Sequence, residues 1–127
     1  MAKPRYDALA DHLREQYGDD LRWVATFDSD RFTYRVRAIR EDLETELSEH
    51  QLDTIVHRSM ALFDRDRMDD VYFHLGEVEA MLVQHEVAMA VHLYLDGSTG
   101  VVVKVERDAE VTMPTQVDEW LGVLGVN

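Results

Sequence analysis

The pattern of apolar and polar positions begins with a helix. Between Arg5 and Tyr17, apolar residues recur at spacings of three and four, which places them on one face of a helix. These residues are Tyr6, Leu9, Ala10, Leu13 and Tyr17. Gly18 follows directly, and glycine is a common helix terminator. The spacing therefore predicts a helix over residues 5–17 with one buried face.

A β-hairpin is predicted next. Apolar side chains alternate through residues 21–27 and again through residues 32–38, and residues 28–30 read Asp-Ser-Asp, which is typical of a turn. The apolar positions are Trp23, Ala25 and Phe27 in the first strand and Phe32, Tyr34 and Val36 in the second. This alternation favours two paired strands with one buried face.

An acidic turn over residues 41–47 is expected to lead into a central helix. Ser48 and Gln51 have the spacing of a capping box, in which each side chain bonds the other residue's backbone N–H. The helix is predicted over residues 49–64 and ends in a charged run. Its apolar stripe consists of Leu52, Ile55, Val56, Ser59, Leu62 and Phe63.

The second half of the chain has the pattern of strands. Residues 78–82 and 87–95 alternate, residues 96–100 form a turn signal, and residues 101–106 predict another strand. Pro114 opens a closing helix in which apolar residues lie at helical spacing. They are Val117, Trp120, Leu121 and Leu124.

These elements predict an α+β fold in the order α-β-β-α-β-β-β-α, with helices packed on a five-stranded, mostly antiparallel sheet. We expect one domain over residues 1–127. The strands over residues 87–95 and 101–103 are apolar on both faces, apart from His92, so both faces should be covered. The helices could supply this cover alone, or a second subunit could contribute, and we expect a homodimer.

The charge balance indicates the salt concentration, the compartment and the partners expected for the protein. The chain has 26 Asp+Glu, 13 Lys+Arg and a net charge of −13, with Lys3 and Lys104 as its lysines. Such a surface repels itself in dilute buffer and is screened in molar salt, so a salt-adapted cytoplasmic protein is predicted. Nucleic acid is not an expected partner, because its phosphates need cationic surfaces. The start of the chain has no apolar signal region and no long apolar stretch follows, so neither export nor a membrane is expected.

Motifs for catalysis or metal binding are not evident in the sequence. The six histidines have no compact ligand spacing, and the absence of cysteine excludes thiolate chemistry. Adjacent carboxylates follow from the acidic composition, the serines lack a nucleophile-elbow context, and residues 97–100 form a turn and not a phosphate-binding loop. We therefore predict no catalytic residues, no metal and no cofactor, and a protein that is not an enzyme.

Arginines depart from the acidic background in the predicted hairpin. Arg31, Arg35 and Arg37 alternate on the outer face of the second strand, and Arg22 lies on its neighbour. This strip could contact an acidic partner, a phosphate or a second copy, or it could pair with the protein's own carboxylates, which is the simpler interpretation.

Two resemblances can be added. The runs LRWV (21–24), FDSDRF (27–32), REDL (40–43) and LDTIV (52–56) resemble small haloarchaeal proteins of an uncharacterised family. The order of elements is similar to that of roadblock/LC7 domains, which belong to a profilin-like architecture. That resemblance implies a central helix between the second and third strands, a homodimer, and a role as a scaffold or GTPase-associated regulator.

The sequence thus favours a non-enzymatic interaction or regulatory module, a homodimer in the cytoplasm of a halophilic archaeon, with a possible further protein partner. The alternative is a sensor domain that binds a small metabolite on the sheet through Trp23, Tyr34 and His92.

Overall fold

A computed structural model describes residues 3–126 of the chain, so the predicted domain span 1–127 includes Met1, Ala2 and Asn127, which lie outside the described residues. The five strands form one sheet in the order β2-β1-β5-β4-β3, and every neighbouring pair is antiparallel. Helices cover both faces. The predicted α+β class with a five-stranded antiparallel sheet is confirmed.

The elements have the following bounds: α1 Tyr6–Tyr17, a 3-10 turn Gly18–Asp20, β1 Leu21–Asp28, β2 Thr33–Ile39, α2 Glu41–Glu46, α3 Glu49–Leu62, α4 Arg65–Val71, β3 Ala80–Gln84, β4 Ala88–Tyr94, β5 Thr99–Glu106 and α5 Thr115–Leu124.

The sequence-based order of elements was incomplete because it lacked α2 and α4. The acidic segment predicted as a turn forms α2. Its first turn contains Glu41, Asp42 and Glu44, whose negative charges interact favourably with the positive end of the helix dipole. The helix predicted to reach residue 64 ends at Leu62. Asp64 then caps α4 by accepting a hydrogen bond from the backbone N–H of Asp66.

Two apolar residues predicted to be buried in strands lie at turns. Phe32 has a φ of 52° and a 59% exposed side chain, and β2 begins one residue later. Val87 precedes β4 in the turn after β3 and is 63% exposed. Alternation alone does not show where a strand stops, so both predictions were wrong.

The larger core lies between the sheet and the helices α1 and α5. Trp120 of α5 is fully buried, as are Leu9 and Leu13 of α1, and they pack with alternate side chains of β4 and β5. These side chains include Val91, Leu93, Val101, Val103 and Val105. Burial of this apolar surface is the main stabilising contribution to the fold.

The smaller core lies between α3 and the opposite face of the sheet, here called the α3 face. The predicted capping box is present, since Ser48 and Gln51 each bond the other residue's backbone N–H. Val56 and Met60 of α3 pack on Trp23 and Ala25 of β1. The cap fixes where α3 begins, and its apolar stripe determines which side faces the sheet.

Gly100 of β5 allows the ring of Phe27 to lie close to the backbone of β5 on the α3 face. A Cβ atom at this position would lie 2.3 Å from Cζ of Phe27 and 2.5 Å from the carbonyl oxygen of Leu93. The ring of Phe27 therefore occupies the space that any other residue would fill.

No helix formed by residues 3–126 is long and apolar enough to span a bilayer.

Candidate functional site

The α3 face carries the three non-arginine residues predicted for a ligand site. In the strand register, Trp23 of β1 pairs with Lys104 of β5, and His92 of β4 lies between Val102 and Met81. Tyr34 of β2 packs on the same core. The structure thus places Trp23, Tyr34 and His92 on one face, but each has its own surroundings.

Tyr34 connects β2 to α3. Its hydroxyl donates a hydrogen bond to a carboxylate oxygen of Asp53, and the ring of His57 lies edge-on to it at 6.0 Å. Burial, followed by the hydrogen bond to Asp53, raises the pKa of Tyr34 to about 12. This hydroxyl stays protonated at neutral pH and acts as an anchor for the helix.

His92 is a buried histidine in the middle of the sheet. It is 4% exposed, and the ring of Phe63 stands edge-on to it with centroids 5.1 Å apart. Burial, with a smaller contribution from the charge of Lys104, lowers the pKa of His92 to about 4. The imidazole is therefore neutral at physiological pH.

The space between α3 and the sheet is small. A cavity of about 30 Å³ lies beside His92 and is also lined by Met60, Phe63 and Tyr94. That volume is about the share of one water molecule in the liquid. A wider open cleft of about 520 Å³ lies elsewhere, lined by residues 16–17, 20, 108–110, 112 and 115–116, and includes none of the predicted site residues.

Lys104 is a feature of the α3 face that the sequence interpretation missed. Its ammonium nitrogen lies 4.6 Å from the centre of the Trp23 ring, and no carboxylate of the described chain forms a salt bridge with it. Burial, with a smaller contribution from Arg22, lowers the pKa of Lys104 to about 8. Within the described chain the buried indole N–H of Trp23 has no hydrogen-bond acceptor. A single lysine within a run of valines was the available sequence signal.

Lys104→Met is expected to stabilise the protein at pH 7 by about 2 kcal/mol, because the charged amine is costly to bury. The lysine has a lower pKa in the folded chain than in the unfolded one, so its cost is full below pH 8 and disappears as the pH rises towards 10.5. Urea unfolding at pH 7 and pH 10 measures this difference. Lys104→Arg keeps the charge and serves as the control, and an equal gain in that variant would contradict the explanation.

Arg22 belongs to a charge cluster at one end of the α3 face. Arg22 and Arg40 both donate to the same oxygen of Glu106, at 3.1 and 2.7 Å, and Arg40 also binds Asp42. Hydrogen bonds from Arg40, with further help from Arg22, lower the pKa of Glu106. The guanidinium of Arg22 is thus paired within the chain.

Arg31, Arg35 and Arg37 of the hairpin do not form one open strip. Arg37 lies at a β-bulge, contacts α1 through Asp7 at 3.7 Å and covers the ring of Tyr6. Arg31 is 3.8 Å from Asp28 in the turn. The side chain of Arg35 is exposed. Because α1 covers the sheet at Arg37, the predicted outer face of β2 is partly occupied by the protein itself.

The two edges of the sheet differ in their protection against pairing. The β2 edge carries Arg35, Arg37 and the bulge, all of which hinder addition of another strand. The β3 edge reads Ala-Met-Leu-Val-Gln, has no charge or proline, and keeps an unbroken register with β4. Its outer N–H and C=O groups therefore form an available pairing edge.

An exposed apolar segment, residues 71–75, adjoins the β3 edge. Val71, Tyr72, Phe73 and Leu75 are 58–83% exposed. The segment connects α4 to β3, and two hydrogen bonds join α4 to Val78 just before β3: Nε of Arg65 donates to the carbonyl of Val78, and the backbone N–H of Val78 donates to Asp69. The ends of the loop that carries the segment are therefore both close to the start of β3. Exposed apolar patches of this kind indicate association surfaces.

Sheet order, helix placement and the free edge define the class of fold. Three solved structures are similar over most of the chain. The roadblock/LC7 domain from Streptomyces avermitilis has 14% identity, a TM-score of 0.59, and coverage of 94% of this chain and 88% of that one. MglB of Myxococcus xanthus has 9% identity, a TM-score of 0.67, and coverage of 93% and 89%. The gliding protein MglB of Thermus thermophilus has 15% identity, a TM-score of 0.63, and coverage of 98% and 90%. The fold is that of roadblock/LC7 domains.

The particular family follows from the sequence. The family described as domain of unknown function DUF7522 matches residues 7–125, and the chain belongs to it. No curated protein sequence matches the chain.

Proposed function

We propose that this protein is a non-enzymatic interaction or regulatory module that acts as a homodimer in the cytoplasm of a halophilic archaeon. The observation that carries the proposal is the unprotected β3 edge beside an exposed apolar segment. The roadblock/LC7-like fold supports the regulatory class. The net charge of −13 supports operation in high salt, where the carboxylates are screened.

Pairing of two β3 strands would extend the sheet continuously across a two-fold axis. Such an interface is isologous, which is the commonest arrangement in soluble oligomers. It would satisfy the outer backbone groups of β3 and cover apolar side chains at the same time. Pairing of two β2 strands would be less favourable, because it would bring the charges of Arg35 and Arg37 and the bulge to the interface.

On the α3 face, the packing of the predicted site residues argues against a metabolite pocket. Trp23 and Tyr34 are packed under α3, and the cavity beside His92 has a volume of only about 30 Å³. Pockets for small molecules measure roughly 300–1,000 Å³. The α3 face therefore gives the sensor alternative no supporting observation.

Light scattering coupled to size-exclusion chromatography tests the dimer. Val83→Lys places a charge within β3 and is expected to weaken the dimer at least about tenfold. Val36→Lys is the matched control, because Val36 is also half-buried, lies on the α3 face and belongs to the opposite edge strand. Circular dichroism confirms that both variants are folded. Wild-type protein that stays monomeric at high concentration, or equal losses in both variants, would refute the β3 interface.

A further inference from the structure

The exposed segment 71–75 has no cover within the described chain, and the geometry of β3 indicates what could cover it. We propose that, in the homodimer, this segment packs against the β3–β4 turn of the second copy and that Glu79 pairs there with the partner's His85. This inference rests on the proposed β3 dimer. It specifies the register of that dimer and the surfaces that meet at each end.

The two faces of β3 restrict the register. Ala80, Leu82 and Gln84 pair with β4 residues that face the larger core, whereas Met81 and Val83 pair with residues on the α3 face. Residues directly opposite each other in an antiparallel pair point to the same face. A continuous sheet therefore allows only pairings that keep these two sets separate.

Among the allowed registers, the one with its two-fold axis at Leu82 overlaps all five residues of β3. It places Ala80 opposite the partner's Gln84, and Met81 opposite the partner's Val83. One pair further out, it places Glu79 opposite the partner's His85. Both Glu79 and His85 are exposed in the single chain, so they are available for this contact. The two-fold axis repeats the pair at the other end.

The same register brings two exposed apolar surfaces together. Antiparallel pairing places the start of one β3 beside the end of the other, where the β3–β4 turn carries Val87, 63% exposed. Segment 71–75 precedes the start of β3, in a loop whose two ends are joined there by the bonds of Arg65 and Asp69 of α4 to Val78. Within that segment Phe73 is 83% exposed. Each copy thus presents one apolar surface at each end of β3, as an isologous interface requires.

Charge exchange tests the register. His85→Glu sets two carboxylates opposite each other at both ends and is expected to weaken the dimer roughly tenfold at about 0.15 M KCl, where screening is moderate. Adding Glu79→Arg to that variant is expected to restore the wild-type dissociation constant. Sedimentation equilibrium measures the constant for wild type, both single variants and the double variant.

Segment 71–75 is tested in the same experiment. Phe73→Asp is expected to weaken the dimer about tenfold or more, since an exposed aromatic buried at an interface often dominates binding. Phe32→Asp is the matched control, because Phe32 is 59% exposed in the β1–β2 turn next to the opposite edge strand. It should leave the constant unchanged.

The outcomes separate this inference from the function on which it depends. Weaker dimerisation of Phe73→Asp, together with a wild-type dissociation constant in the double variant, supports both the β3 dimer and this inference. If the wild type dimerises but Phe73→Asp does not weaken the dimer, the proposed packing of segment 71–75 is overturned. If the double variant does not recover the wild-type dissociation constant, the proposed register is overturned. Both results leave the β3 dimer itself standing. A wild type that is monomeric in molar KCl as well as at about 0.15 M overturns the dimer and this inference together.

Discussion

Gly100→Ala is expected to destabilise the protein by about 3 kcal/mol or more. The added Cβ would overlap the ring of Phe27 at 2.3 Å and the carbonyl oxygen of Leu93 at 2.5 Å. The ring can turn away, but the carbonyl belongs to the neighbouring strand β4 and cannot move without disturbing the ladder. Urea unfolding measures the change in the free energy of unfolding.

Two further variants distinguish crowding from backbone strain. Gly76→Ala adds a Cβ where no atom lies within 4 Å, so it should cost only about 1–2 kcal/mol for its positive φ of 82°. Phe27→Leu removes the ring contact, so Gly100→Ala should destabilise a Phe27→Leu protein less than it destabilises wild type. It should still destabilise that protein, because the contact with Leu93 remains. A Gly100→Ala protein as stable as wild type would show that this crowding is absent.

Protonation of His92 is expected to remove about 3 kcal/mol of stability as the pH falls from 6.5 to 4. The folded chain holds this histidine at a pKa of about 4, below its ordinary value of 6.5. Between these values the unfolded chain binds the proton and the folded chain does not, so unfolding becomes progressively more favourable. The loss is complete at pH 4 and absent above pH 6.5.

Comparison with variants isolates this contribution from that of the many carboxylates. His92→Met and His92→Gln both remove the titrating group, although they differ in packing and hydrogen bonding. The stability of wild type relative to either variant should fall by the same amount across the window, whatever their absolute stabilities. A constant difference between wild type and both variants would show that His92 is not the group responsible.

Local patterns predicted those elements whose signals are contained in a few neighbouring residues. The capping box at Ser48 and the alternation around Trp23 and Tyr34 each specify a structure directly. The helix α4 was missed because it contains only two apolar residues, Met68 and Val71, which are too few to produce a stripe. Phe32 was wrongly assigned to a strand because the apolar alternation of β2 continues back into the turn, where Phe32 has a positive φ.

The candidate surfaces depend on tertiary contacts, which no local pattern contains. Arg37 reads as an exposed strand residue until α1 is packed over it through Asp7 and Tyr6. The β3 edge is recognisable as unprotected only once the order of the strands is known. Conversely, the apolar run over residues 71–75 was visible in the sequence, and its position outside any strand made it easy to overlook.

The placement of Lys104 gives the protein an internal chemical probe. The chain has no cysteine, and its other lysine is Lys3, so an amine-reactive reagent has few alternative targets. An amine with a pKa near 8 is substantially unprotonated in mildly alkaline buffer, yet here it is packed against Trp23. Because the side chain is half-buried, its rate of acylation would report how readily the amine separates from the Trp23 ring, and the same measurement could follow changes on this face of the sheet as a partner binds.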